Sequence, residues 1–143
     1  MAAATAIEVT IEVPDSRIRD MLCCAFEGGS NYWYDDLAPV YPPGFTRGDL
    51  KEGGKAQPRD AQGREDYFHW CQLLPLMDGG AVTFRDKEGG KEYRLDRAKI
   101  KAGLLAFRDQ CPRHFAVMMA DDGDADTGDA FLQCCTFGEV IYG

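Results

Sequence analysis

Residues 81–107 read AVTFRDKEGGKEYRLDRAKIKAGLLAF, and this stretch decides the fold class. Ala81–Arg85 and Lys91–Leu95 are short, β-branched and aromatic-rich runs joined across Lys87-Glu88-Gly89-Gly90, which is the pattern of two antiparallel strands and their turn. Asp96 then offers a side-chain oxygen to cap a helix. Ile100, Gly103/Leu104 and Phe107 follow at the three-and-four spacing of one buried helical face. A hairpin feeding directly into an amphipathic helix predicts an α+β domain.

Downstream, Pro112 stops or restarts the helix, and a shorter helix is expected over His114–Met119. After the acidic loop Asp121-Asp122-Gly123-Asp124, a final helix is predicted with Phe131, Cys134/Cys135, Phe137/Gly138 and Ile141 on one face. Upstream, Tyr67–Leu74 reads as a strand ended by Pro75 and joined to Ala81 through Asp78-Gly79-Gly80. At the N-terminal end, Ile7, Val9, Ile11 and Val13 alternate with Glu8, Thr10 and Glu12, the pattern of a half-buried strand over Thr5–Val13. Pro14-Asp15-Ser16 provides turn and cap chemistry for a helix carrying Ile18, Met21, Leu22, Ala25 and Phe26, which Gly28-Gly29 ends. The expectation is one domain over residues 1–143: a small antiparallel sheet of about four strands with three to four helices packed on it. Residues 35–66, rich in Pro and Gly with little periodicity, read as a long loop or flap that Tyr41 and Phe45 help to dock.

Composition narrows the function classes. The 143 residues carry 16 Lys+Arg against 24 Asp+Glu, a formal charge of -8, which repels phosphate backbones and anionic lipid and argues against sequence-general nucleic-acid binding. The start of the sequence lacks a cationic and apolar signal pattern, and no apolar run is long enough to span a bilayer, so a cytoplasmic protein is expected. Six cysteines, two adjacent pairs at 23–24 and 134–135 and single ones at 71 and 111, give no C-x-x-C spacing. With His69 and His114 completing no ligand pattern, buried reduced thiols are expected rather than a metal site, and no cofactor is indicated.

The acidic run of Asp121, Asp122, Asp124, Asp126 and Asp129 fails as a calcium loop. With Asp122, Asp124 and Asp126 as ligands one, three and five, Thr127 stands where glycine is needed and Gln133 where a bidentate Glu should close the shell. Carboxylates ahead of a helix also satisfy its free amides, which is the simpler reading. Glycine pairs at 28–29, 53–54, 79–80 and 89–90 match no phosphate-loop signature and read as turns.

The densest binding chemistry lies in Ala25–Tyr34, AFEGGSNYWY. As a pocket wall, Trp33 and Tyr32 would stack on a planar ligand while Glu27, Ser30 and Asn31 read its polar edges, with Gln133 or Glu139 contributing from the last helix. Arg47, Arg59 or Arg64 in the flap would supply cations for a phosphorylated ligand. The alternative is a helix cap followed by aromatics tucked over the core.

The two motifs AFEGGSNYWY at 25–34 and DADTGDAFLQCCTFGEVIYG at 124–143 resemble a group of small proteins encoded by tailed bacteriophages and prophages. The resemblance implies a phage-encoded accessory protein of the host cytoplasm, one that counteracts host defences by binding a host protein or sequestering a signalling molecule. Together these readings favour a protein without catalysis that binds a small planar polar ligand of the nucleotide kind. The second reading is an acidic inhibitor of a host protein. The third is a small hydrolase using Glu27 or Glu139 as base with His69 or His114 nearby. A homo-oligomer is left open.

Overall fold

The computed structural model of the protein describes residues 3–46 and 69–143. The chain runs α1 (Asp15–Cys24), a π-turn (Ala25–Gly29), β1 (Tyr34–Val40), α2 (Trp70–Leu73), a 3-10 turn (Leu74–Leu76), β2 (Ala81–Asp86), β3 (Glu92–Leu95), α3 (Arg97–Gln110), α4 (Pro112–Met119) and α5 (Ala125–Phe137). The α+β class holds: the described residues form a three-stranded antiparallel sheet in the order β1-β2-β3 and five helices, one of them a single turn.

The hairpin and the helix after it form as their sequence dictates. Val82 pairs with Leu95 and Phe84 with Tyr93, and the Asp96 carboxylate accepts the Lys99 N–H at 3.0 Å to cap α3. Arg97 then locks three elements together. Its guanidinium donates to the Leu76 carbonyl at 2.7 Å and to both Asp15 oxygens at 3.1 and 3.2 Å, so the starts of α1 and α3 are tied to the 3-10 turn. The same contact holds the Asp15 carboxyl below its ordinary value.

Helix α5 is the spine of the core. Thr127, Gly128 and every residue from Ala130 to Thr136 are buried, because α1, α3 and α4 cover it on several sides. Phe84, Phe107 and Phe131 are each 1% exposed or less, and full burial of such a side chain contributes roughly 1.5–3 kcal/mol. Close approach of the helices depends on small residues. A Cβ on Gly128 would lie 2.6 Å from the Cys24 Cβ and 2.9 Å from the Met21 carbonyl oxygen, so α1 and α5 meet there at backbone distance.

Four expectations are corrected. Thr5–Val13 forms no strand: Thr5–Glu12 are exposed and Val13 is partly buried against the core, so the sheet has no fourth strand among the described residues. Within Tyr67–Leu74, Tyr67 and Phe68 lie outside the described residues, and the rest is helical: His69 caps α2, with its N–H reciprocally held by the Gln72 side chain at 3.0 Å. That capping box overrides the strand-like composition of His69–Leu74. The expected loop over 35–66 contains most of β1, which pairs with β2 from Tyr34↔Asp86 to Val40↔Ala81, while its remainder from 47 lies outside the described residues. Pro39 fits because β1 is an edge strand bonded on one side only, and Asp36, at φ 56°, sits in the bulge between Asp35 and Ala38. Finally, α5 ends at Phe137 rather than reaching Ile141. Gly138, at φ 75°, adopts the left-handed cap, and residues 139–143 fold back.

Candidate functional site

The elbow after α1 is pressed against α5. Ser30 N–H bonds to the Ala25 carbonyl at 2.9 Å, closing the π-turn, and a Cβ on Gly29 would collide with the Ala125 carbonyl and the Cys24 carbonyl. This packing delivers three side chains of the elbow to one acid. Asp129 Oδ1 accepts from Ser30 Oγ at 2.7 Å and from Trp33 Nε1 at 2.8 Å, while Oδ2 accepts from the Tyr32 hydroxyl at 2.6 Å and from Gln133 Nε2 at 3.1 Å. Four donors satisfy both oxygens, the condition under which a carboxylate is tolerated away from water.

Gln133, fully buried, extends the network to the chain's last residues. Its Oε1 accepts the Ile141 and Tyr142 N–H groups at 2.9 and 2.8 Å, and its Nε2 also reaches the Tyr142 carbonyl at 3.2 Å and the Tyr32 oxygen at 3.3 Å. Tyr142 is thereby seated with its ring stacked on Trp33, 5.8 Å between centroids at 20°. Its hydroxyl donates to Asp86 at 2.8 Å, and Asp86 also accepts the Glu88 N–H at 2.9 Å within the hairpin turn. Burial, then the neighbouring carboxylate, pushes both the Tyr32 and Tyr142 hydroxyls up to about 12, so both stay protonated donors at neutral pH.

Four of the seven predicted site residues therefore meet: Ser30, Tyr32, Trp33 and Gln133. Their convergence is internal. Trp33 is 2% exposed, with Phe84, Tyr34 and Phe137 against it in addition to Tyr142, so neither face of its ring is open to a ligand. Ser30 and Gln133 are likewise sealed. Tyr32 differs: it is 51% exposed although its hydroxyl is fixed. Glu27, Asn31 and Glu139 are exposed, and their side chains make no hydrogen bond or ion pair with the described residues; the Asn31 carbonyl accepts from Lys87 Nζ at 2.8 Å. Arg47, Arg59 and Arg64, expected to serve the same site, lie outside the described residues.

Asp129, Tyr142 and Asp86 are not among the residues that the sequence points to. In the sequence Asp129 belongs to the acidic run at the start of α5, yet it lies one helical turn before Gln133 and shares its face, a spacing that pairs side chains. Of the other acids in that run, Asp124 does cap α5, accepting the Thr127 N–H at 2.9 Å and hydroxyl at 3.0 Å, which lowers its carboxyl below the ordinary value. Asp121 pairs with Arg17 at 3.2 Å.

The nucleophile and base candidates are placed structurally. His69 Nδ1 lies 3.2 Å from Cys71 Sγ at the α2 cap, and burial pushes that thiol up to about 12. Such a thiol stays protonated and is a poor nucleophile. Burial also raises the Cys134 thiol to about 12 and holds that of Cys135 well above its ordinary value. His114 stacks on Phe107 and meets the Thr127 hydroxyl at 3.2 Å. Among the described residues, no three His, Cys, Asp or Glu side chains converge as metal ligands, and no helix is long and apolar enough to cross a membrane. Comparison with protein-family models, curated proteins and solved structures finds no significant match.

Proposed function

We propose that this is a non-catalytic binding protein, of the accessory kind that tailed phages and prophages carry, and that it engages a host protein through the outer face of the elbow. The observation that supports this reading is Tyr32, half exposed while its hydroxyl is held by Asp129 and Gln133. An aromatic fixed before binding loses little entropy on contact, which is the property of an interface anchor. Gln133 also fixes the backbone of Ile141, and Ile141 and Val140 are 49% and 42% exposed. Exposed Glu27 and Glu139 put acids on the same elbow and tail, so the partner surface is an apolar pocket with a basic margin.

The sequestration of a planar polar ligand has less support, because Trp33, one of its two stacking rings, is spent on the core. Tyr32 is the ring left to such a ligand.

Affinity capture from host extract tests the reading, using the parent, an Ile141→Asp variant and a Glu27→Lys/Glu139→Lys variant, followed by denaturation of the recovered protein and analysis of what it releases. The expected result is a host protein retained by the parent and lost by both variants at unchanged melting temperature. A small molecule released intact from the parent would replace the protein partner with a ligand, and a chemically altered one would make the protein an enzyme.

A further inference from the structure

We propose that residues 5–13 form a dimerisation arm, which docks as a strand antiparallel to the same segment of a second copy, over the groove it makes with α3 and α4. The arm has no regular secondary structure, and three of its four large apolar residues are exposed, Ile7 at 80%, Val9 at 68% and Ile11 at 45%, while Val13 packs on the core. None of its backbone N–H or C=O groups bonds to a described residue. A period-two sequence is suited to a ladder on its edges and burial on one face. In a single copy the arm obtains no ladder, and of its large apolar residues Val13 alone packs on the core.

Beside the arm lies a cavity of 380 Å³, walled by Val9, Ile11 and Val13 and floored by Ile100, Leu104 and Phe115. Its margin is cationic, with Arg97, Lys101 and Arg108. Arg97 and Arg108 are held by Asp15 and Asp109, whereas Lys101 has no partner among the described residues. The arm brings two acids, Glu8 and Glu12, and no cation. On a chain of net charge -8, a groove whose two arginines are paired and whose Lys101 is left over favours an apolar segment carrying an acid, which is what the arm of another copy supplies.

The pairing also has a preferred register. A symmetric antiparallel pair with Val9 opposite Val9 sets Ile7 against Ile11 and Glu8 against Thr10. Centring it on Thr10 would set Glu8 against Glu12, and like charges directly opposite are destabilising. The two-fold pairing bonds one edge of each arm and is self-complementary, so the assembly it forms is a dimer.

Sedimentation of the full chain from micromolar to millimolar concentration tests the arm. The expected result is a monomer–dimer equilibrium whose Kd rises about a hundredfold or more in Val9→Asp/Ile11→Asp, since two apolar side chains would then carry charge into the groove. Val9 is 68% and Ile11 45% exposed in one copy, so the melting temperature of the dilute monomer changes far less than the Kd does. Lys101→Glu weakens the dimer and Glu8→Lys/Glu12→Lys restores it. A parent that is monomeric throughout overturns the proposal and leaves the groove to a foreign strand. A dimer indifferent to Val9→Asp/Ile11→Asp overturns it equally. None of these variants touches Glu27, Ile141 or Glu139, so failure here is separate from failure of the elbow interface.

Discussion

Asp129 and Trp33 are joined by a 2.8 Å hydrogen bond across 96 residues of chain, and the oxygen that makes it also receives the Ser30 hydroxyl at 2.7 Å. An Asp129→Ala variant leaves the buried Trp33 N–H and Ser30 hydroxyl without partners, and each orphaned buried group costs about 1–3 kcal/mol. Urea unfolding should therefore show a loss of roughly 3 kcal/mol or more. Asp129→Asn keeps one acceptor oxygen and should lose clearly less. Equal losses in the two variants would show that the acceptor role is not what matters.

Gln133→Ala should release the end of the chain while leaving α5 intact. The Ile141 and Tyr142 amides bond to Gln133 Oε1, so their hydrogen exchange should accelerate toward that of an open segment. With Tyr142 no longer seated on Trp33, the tryptophan emission should shift to longer wavelength. Unchanged protection at 141 and 142 would show that the stack alone holds the tail.

Gly128→Ala places a methyl group where α1 and α5 touch, 2.6 Å from the Cys24 Cβ and 2.9 Å from the Ala25 nitrogen. Backbone cannot give way as a flexible side chain can, so the expected cost is about 1–3 kcal/mol or more despite the better helix propensity of alanine. Thermal unfolding reads it directly. A variant as stable as the parent would mean that the two helices separate freely.

Stability should fall in the alkaline range through Tyr32 and Tyr142. Both hydroxyls titrate at about 12 in the fold against 10.0 in an open chain, because burial and then Asp129 or Asp86 oppose the phenolate. The folded state keeps protons that the unfolded chain releases. Their contribution is therefore complete below pH 10 and is lost as pH climbs from 10.0 to about 12. A Tyr32→Phe/Tyr142→Phe variant should be less stable than the parent at neutral pH but show a shallower alkaline decline. Parallel declines would place the alkaline sensitivity elsewhere.

Legibility in the sequence followed the range of the interactions involved. The hairpin, the Asp96 and Asp124 caps, the α3 stripe and the proline break before α4 were readable because each depends on residues a few positions apart. The strand expected over Tyr67–Leu74 gives way, in its described part from His69, because aromatic, strand-like composition competes there with a capping box, and the box wins. β1 was hidden because Pro39 and Asp36 look like loop residues until an edge position and a bulge make room for them.

The elbow motif shows the same division. Its residue types, a serine, two tyrosines and a tryptophan beside two glycines, determine by themselves that the chain must turn there and that polar tips must find partners. Which partners was decided only by the tertiary structure, since Asp129, Gln133 and Tyr142 lie about a hundred residues further along and reach the elbow through the backbone contact of α1 with α5. Sequence specifies hydrogen-bonding capacity and local conformation. Whether that capacity turns inward, as in Trp33, or leaves a fixed ring outside, as in Tyr32, depends on which surfaces the packed helices bury.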